Sequence, residues 1–225
     1  MILTTLQEVS PLQTEKTLSI IELIKNGGLG GQLIIGLLFF LLLMVVYIYF
    51  ERLFAIRSAV KVGPNFMPQI RTFVMNGKVE GAKELCSTEN VPVSRLVYKG
   101  LSRIGRPLDD INTAIENAGR LEVYQLEKNI SILATIAGAA PMLGFLGTVI
   151  GMILSIFEIS NAGGNIDMQL LADGLYTAMT TTVAGLIVGI IGYITYNHLV
   201  VKTNKAVYQM EATSLEFLDL LNEPA

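Results

Sequence analysis

Four hydroxyls crowd into the stretch from Thr177 to Thr182: Thr177, Thr180, Thr181 and Thr182. On a helix they occupy most of one turn. The surrounding residues, 174–201, hold no Asp, Glu, Lys or Arg. A threonine hydroxyl does not titrate near neutral pH, but it orders water and can coordinate a hard cation through oxygen. A second uncharged run, 129–157, carries Thr148 on a stripe with Ala137, Pro141, Gly144, Gly151 and Ser155. The residues between these are bulky, including Met142, Phe145, Leu146, Val149 and Ile153. Hydroxyls arranged this way in an apolar medium suit a narrow hydrated path for an ion. Helix packing is the competing explanation. Small residues let spanning backbones approach, and Gly147 to Gly151 is itself a GxxxG pattern. A helical threonine can also bond its own backbone carbonyl.

Other chemistries have little to stand on. Cys86 is the single cysteine and has no histidine near it to activate the thiol. No phosphate-binding loop is present. His198, the single histidine, sits beside Asn197 with no second metal-ligand type nearby, and reads as a membrane-edge residue. The net charge of −3 argues against nucleic acid as a partner. We therefore expect no enzyme activity, no cofactor and no metal.

The elements that position the hydroxyls follow from composition. The 225 residues are 52% hydrophobic and 16% charged, against about 25% charged in a soluble domain. Three uncharged runs, 27–50, 129–157 and 174–201, each exceed the roughly 20 residues of helix that cross a bilayer core. The fold class is an all-α membrane protein with three transmembrane helices and long cytoplasmic helical extensions. Measured from the middle of each run at about 1.5 Å per residue, Thr148 lies roughly 7 Å and Thr182 roughly 8 Å outward of the bilayer centre. Spans two and three run in opposite directions, yet these two hydroxyls share a level. In a ring of copies they would stack into a polar belt. On span three one small stripe runs Ala178, Thr182, Gly185, Gly189, Gly192, and a second runs Thr177, Thr181, Ala184, Val188.

Orientation comes from Lys and Arg. Twelve of the sixteen fall between Arg52 and Lys128, two more follow span three, and the loop 158–173 has none. The N-terminus should face outward, with 51–128 and 202–225 in the cytoplasm. Residues 1–26 would form an outward segment carrying an amphipathic surface helix. Residues 158–173 would form a short outer loop, with Asp173 and Glu158 as acids at the outer entrance. Region 51–128 reads as helices over 66–76, 79–86 and 93–104, and then one long helix from 108 straight into span two. Residues 202–225 extend span three in the same way.

Two runs carry a family resemblance. Ala140 to Met152 (APMLGFLGTVIGM) and Gly174 to Ile190 (GLYTAMTTTVAGLIVGI), with Tyr196 and Asn197 beyond, resemble the span-two and span-three signatures of the ExbB/TolQ/MotA proton-channel family. The likeness covers roughly residues 30–205 and is nearest to an ExbB/TolQ-type subunit. It implies a homopentamer around two copies of a single-span ExbD/TolR/MotB-like partner, and it allows a TonB-like protein as a further partner. It implies a bacterial inner-membrane location with a periplasmic N-terminus and a cytoplasmic C-terminus. The inner-membrane ion-motive force would energise outer-membrane transport or envelope processes. Thr148 and Thr182 map onto the family's pore threonines, and Thr177 and Thr181 join them as pore-lining candidates. Pro141, Gly144, Gly147, Gly151, Ala178, Gly185 and Gly189 would set helix packing and pore geometry. One departure stands out: Thr177 occupies a position where such relatives usually carry glutamate. The coupling ion is expected to be H+, with Na+ as the alternative. Two further alternatives are a membrane scaffold without ion conduction and a flagellar- or gliding-type stator subunit.

Overall fold

The computed structural model describes residues 28–161 and 168–222. Seven helices are found there, and no strand occurs among the described residues. The helices are α1 (Gly28–Ala59), α2 (Phe66–Met75), α3 (Val79–Glu89), α4 (Pro92–Leu101), α5 (Leu108–Glu127), α6 (Ile130–Asn161) and α7 (Met168–Asn222). The amphipathic helix expected within 1–26 lies outside the described residues. Three helical stretches, in α1, in α5–α6 and in α7, are long and apolar enough to cross a membrane. The chain is an all-α membrane protein.

The spanning helices pack on one another through small residues and leave their bulky residues outside. On α1, Leu33, Phe39, Phe40 and Leu43 are exposed, while Ile34, Leu38, Val45 and Ile48 are buried. On α6, Met142, Phe145, Ile153 and Phe157 are exposed around the buried Ala140, Gly144, Gly147 and Gly151. A soluble protein would hide those side chains. Here lipid or a neighbouring subunit has to cover them.

The short helices obey local rules. α2 buries Phe66 and Ile70, one turn apart, and ends at Gly77, whose positive φ lets two N–H groups close the last turn. Those bonds are Gly77 N–H to Val74 O at 3.0 Å and Lys78 N–H to Phe73 O at 2.9 Å. α3 buries Ala82 and Cys86 and ends on the left-handed Asn90. α4 starts with Pro92 in its first turn, where a missing N–H costs nothing. The Ser94 hydroxyl accepts from Val91 N–H at 3.0 Å and donates to Val91 O at 2.9 Å. α4 buries Val93, Leu96, Val97, Gly100 and Leu101, the pattern of a helix covered on one broad face.

α7 ties the two halves together. It runs unbroken through 55 residues, from the membrane-spanning part to a distal end packed on the small helices. Phe217 there is fully buried, and its ring lies against Gly100 of α4. A Cβ at Gly100 would also come within 2.9 Å of Ile115 Cδ1. Gly100 is thus the gap into which α7 plugs its largest buried side chain.

Several boundaries differ from the sequence expectation: α3 runs on to Glu89, α4 stops at Leu101, and α6 and α7 extend into the expected loop 158–173, α6 to Asn161 and α7 from Met168. α1 continues past residue 50 to Ala59 and stops before Gly63-Pro64. The single long helix expected from 108 into span two is instead two. Lys128 has ψ 134° and Asn129 has φ 64°, which separates α5 from α6. Asparagine tolerates the left-handed region better than other residues with a Cβ, so the break costs little at this position.

Candidate functional site: the threonine–glycine seam between α6 and α7

α6 and α7 meet along a row in which each glycine gives room to a specific neighbour. A Cβ built on Gly185 would lie 2.6 Å from Ala140 O and 2.8 Å from Gly144 Cα. One on Gly144 would lie 2.8 Å from Thr181 O. One on Gly189 would lie 2.6 Å from Pro141 Cγ and 3.1 Å from Ala137 O. Pro141 has no N–H to give to the Ala137 carbonyl four residues back, so that carbonyl is released from its usual partner. The close approach of Gly189 covers it. Gly147 sits against the Thr181 side chain, and Gly151 against Ala178. At the end of the seam Gly174 faces Ser155, a buried hydroxyl that donates to Gly151 O at 2.8 Å.

The threonines divide into two pairs. Thr181 is fully buried, with its hydroxyl 2.8 Å from Ala178 O and 3.3 Å from Gly144 O. Thr177 is 8% exposed, and its Cγ2 fills the space left by Gly31 of α1, 2.8 Å from where a Cβ would stand. Both are covered within a single chain. Thr182 is only partly buried and donates to Gly144 O at 3.2 Å. Thr148 is likewise partly exposed and donates to Phe145 O, in its own helix, at 2.6 Å. Thr182 lies against the Gly144 turn, and Thr148 stands one turn further along that same face of α6. Their hydroxyls therefore share one edge of the seam. Carbonyls occupy their protons, but each oxygen keeps lone pairs for water or a cation.

Ala178, Gly185 and Gly189 are all buried in the seam. Glu158 is exposed near the end of α6, and the side chain of Asp173 lies outside the described ones. Sequence reasoning missed Gly31, the α1 residue that makes room for Thr177. It also missed the partner of His198, whose Nδ1 is 3.0 Å from the Tyr49 hydroxyl and joins α1 to α7. The pairs are 146 and 149 residues apart in the chain, and no local pattern links them.

Comparison with known proteins agrees with this architecture. The model of the MotA/TolQ/ExbB proton channel family matches residues 88–212, more than half of the chain and all of the α6–α7 seam. An ExbB homolog of Methanothermobacter thermautotrophicus is 27% identical over 86% of this chain and 67% of its own length. The biopolymer transport protein ExbB of Aquifex aeolicus is 38% identical over 48% of this chain and 74% of its own. The Tol-Pal system protein TolQ of Haemophilus influenzae is 30% identical over 50% of this chain and 49% of its own. With the matched stretch containing both threonine-bearing spans, the chain belongs to the MotA/TolQ/ExbB proton channel family.

Proposed function

We propose that the chain is the multi-copy subunit of an ion-driven motor in a bacterial inner membrane. Five copies surround two copies of a single-span ExbD/TolR/MotB-like partner. The N-terminus is periplasmic and the C-terminus cytoplasmic. The motor energises outer-membrane transport or envelope processes, with a TonB-like protein as a further partner that receives the work. Support comes from the names of the relatives, which include biopolymer transport and Tol-Pal proteins.

The observation that carries the reading is the pairing of partly exposed Thr148 and Thr182 on one edge of the seam. Thr180 in the same turn is also partly exposed and donates to Tyr176 O at 2.8 Å, while other exposed side chains near that depth, such as Phe145, Met152, Met179 and Val183, are bulky and apolar. Repeated around a ring, the pair gives a belt of oxygens that orders water. Thr177 supplies no carboxylate where relatives usually have one, so titration falls to the partner's membrane acid. This chain's hydroxyls hold the water that reaches it. Protons are the proposed ion, with sodium the alternative. Partner-dependent work that survives in sodium-free buffer decides for protons.

Scaffolding alone has one observation in its favour: Thr177 and Thr181 are buried as packing residues. Thr148→Val and Thr182→Val separate the readings. A motor subunit still assembles, by native mass, but loses ion flux by about tenfold or more with its partner, because one ordered hydrogen-bonding site per subunit is gone. Unchanged flux and work in both variants would leave only the scaffold.

A further inference from the structure

The end of the bundle where α1 leaves the membrane holds a cleft of 740 Å3 unrelated to the seam. Its walls include Arg52, Arg95 and Lys128 against a single lining carboxylate, Glu122. Even with Glu51, which holds Arg52 at 2.5 Å, cations outnumber acids three to two in a chain of net charge −3. Arg95 is fully committed. Its Nε and Nη2 clasp both oxygens of Glu122 at 2.6 Å, and its Nη1 donates to Asn90 O at 2.9 Å. The Glu122 hydrogen bonds raise the Arg95 pKa further above its ordinary value, so the guanidinium is permanently charged.

Lys128 is unspent, and Arg52, though paired with Glu51, keeps one unmade donor. Lys128 is exposed and has no ion-pair partner among the described residues. Arg52 is nine-tenths buried; Nη1 donates to Gln125 O at 3.1 Å, but Nε has no partner. A buried donor left unsatisfied destabilises the fold unless a ligand or water meets it. The first turn of α4, at Val91 and Pro92, also lines the cleft and adds the positive end of a ten-residue helix.

Depth identifies the occupant. Arg52 follows the uncharged run 27–50 by two residues, and Lys128 immediately precedes the run 129–157. Measured from the middle of each run, Arg52 and Lys128 therefore stand roughly 20 and 22 Å from the bilayer centre along the helix axis, beyond the roughly 15 Å half-thickness of the hydrocarbon and at the level of the lipid headgroups. Exposed Phe50 and Phe54 stand at the same level of α1 and offer apolar surface for acyl chains. We propose that this cleft binds the phosphate of an anionic phospholipid from the adjoining leaflet, with Lys128 and Arg52 as its cationic contacts. The site does not depend on the ion-motor reading, and it stands whichever face of the membrane this end occupies.

The test is native mass spectrometry of the detergent-purified chain titrated with dioleoyl phosphatidylglycerol, dioleoyl phosphatidylcholine and inorganic phosphate. Phosphatidylglycerol should bind best, and Lys128→Ala should weaken it by about tenfold, the loss of one charge-assisted contact. Adding Arg52→Gln should weaken it further, while Lys99→Ala, an exposed lysine outside the cleft, should change nothing. Lys128 is exposed, so its single variant decides the matter even if the double variant does not fold. Equal binding of phosphatidylcholine, an unaltered affinity in Lys128→Ala, or displacement of lipid by millimolar inorganic phosphate would each overturn the proposal.

Discussion

Adding one methyl group at Gly185 should undo the α6–α7 seam. The new Cβ would stand 2.6 Å from Ala140 O, 2.8 Å from Gly144 Cα and 3.0 Å from Gly144 N, where ordinary contact begins at 3.4 Å. All three atoms are backbone, so no rotamer change relieves them. The helices must part by up to about 0.8 Å at that level, the shortfall of the nearest contact. Overpacking of this kind costs about 1–3 kcal/mol. Parting also stretches the bonds from Thr181 and Thr182 to Gly144 O, already 3.3 and 3.2 Å long, each worth about 0.6 kcal/mol in a membrane protein. The expected loss is about 2–4 kcal/mol. Gly36→Ala is the matched control, because nothing lies within 4 Å of its added Cβ and it shares the same gain in helix propensity. Thermal unfolding in detergent can be followed by a maleimide dye reacting with Cys86, the single cysteine and a buried one. Gly185→Ala should unfold several degrees below wild type and Gly36→Ala at or above it. Coincident midpoints for the two variants would refute the seam as the contact that holds these spans together.

Three further outcomes follow, two from Cys86 and one from the α5–α6 break. Burial pushes the Cys86 thiol up from 9.0 to about 12, so at pH 8 its thiolate is about a thousandfold scarcer than in an ordinary thiol. Alkylation of the folded chain at pH 8 should be slower than that of the unfolded chain by about that factor or more; a rate within tenfold would contradict the burial. The raised value has a stability sign as well. The neutral thiol is tolerated at all pH below 9, and folding stability falls as pH rises from 9 towards 12, where only the unfolded chain ionises freely. At the α5–α6 break, Asn129→Gly should be neutral or stabilising. Asn129→Val should cost about 1–2 kcal/mol, because a β-branched side chain resists a φ of 64°. Denaturant or thermal midpoints of the two variants check this, and equal midpoints would mean that the break is not fixed by the backbone.

How far the sequence leads depends on the range of the interaction. The three spans are legible because lipid imposes its demand on every residue of a run, and a missing charge is a local fact. The small stripes are legible because residues four apart share a helix face. What a stripe cannot reveal is which neighbour covers it. Thr177 and Thr182 sit on adjacent stripes of one helix, alike in composition. Gly31, 146 residues earlier, takes the first into a contact with α1, whereas the second packs on Gly144 of α6 and stays partly exposed. The difference between a buried packing threonine and one free to meet water thus lies on α1, outside either signature. The break at Asn129 escapes notice for a different reason. Lys128-Asn129 contains neither glycine nor proline, and the helical pattern on each side continues in phase with length alone. Lys128, at the break, lines the cleft together with Arg52 of α1. The backbone turn that ends α5 and the charge that meets the cleft thus fall on one residue, and neither is written in a local pattern.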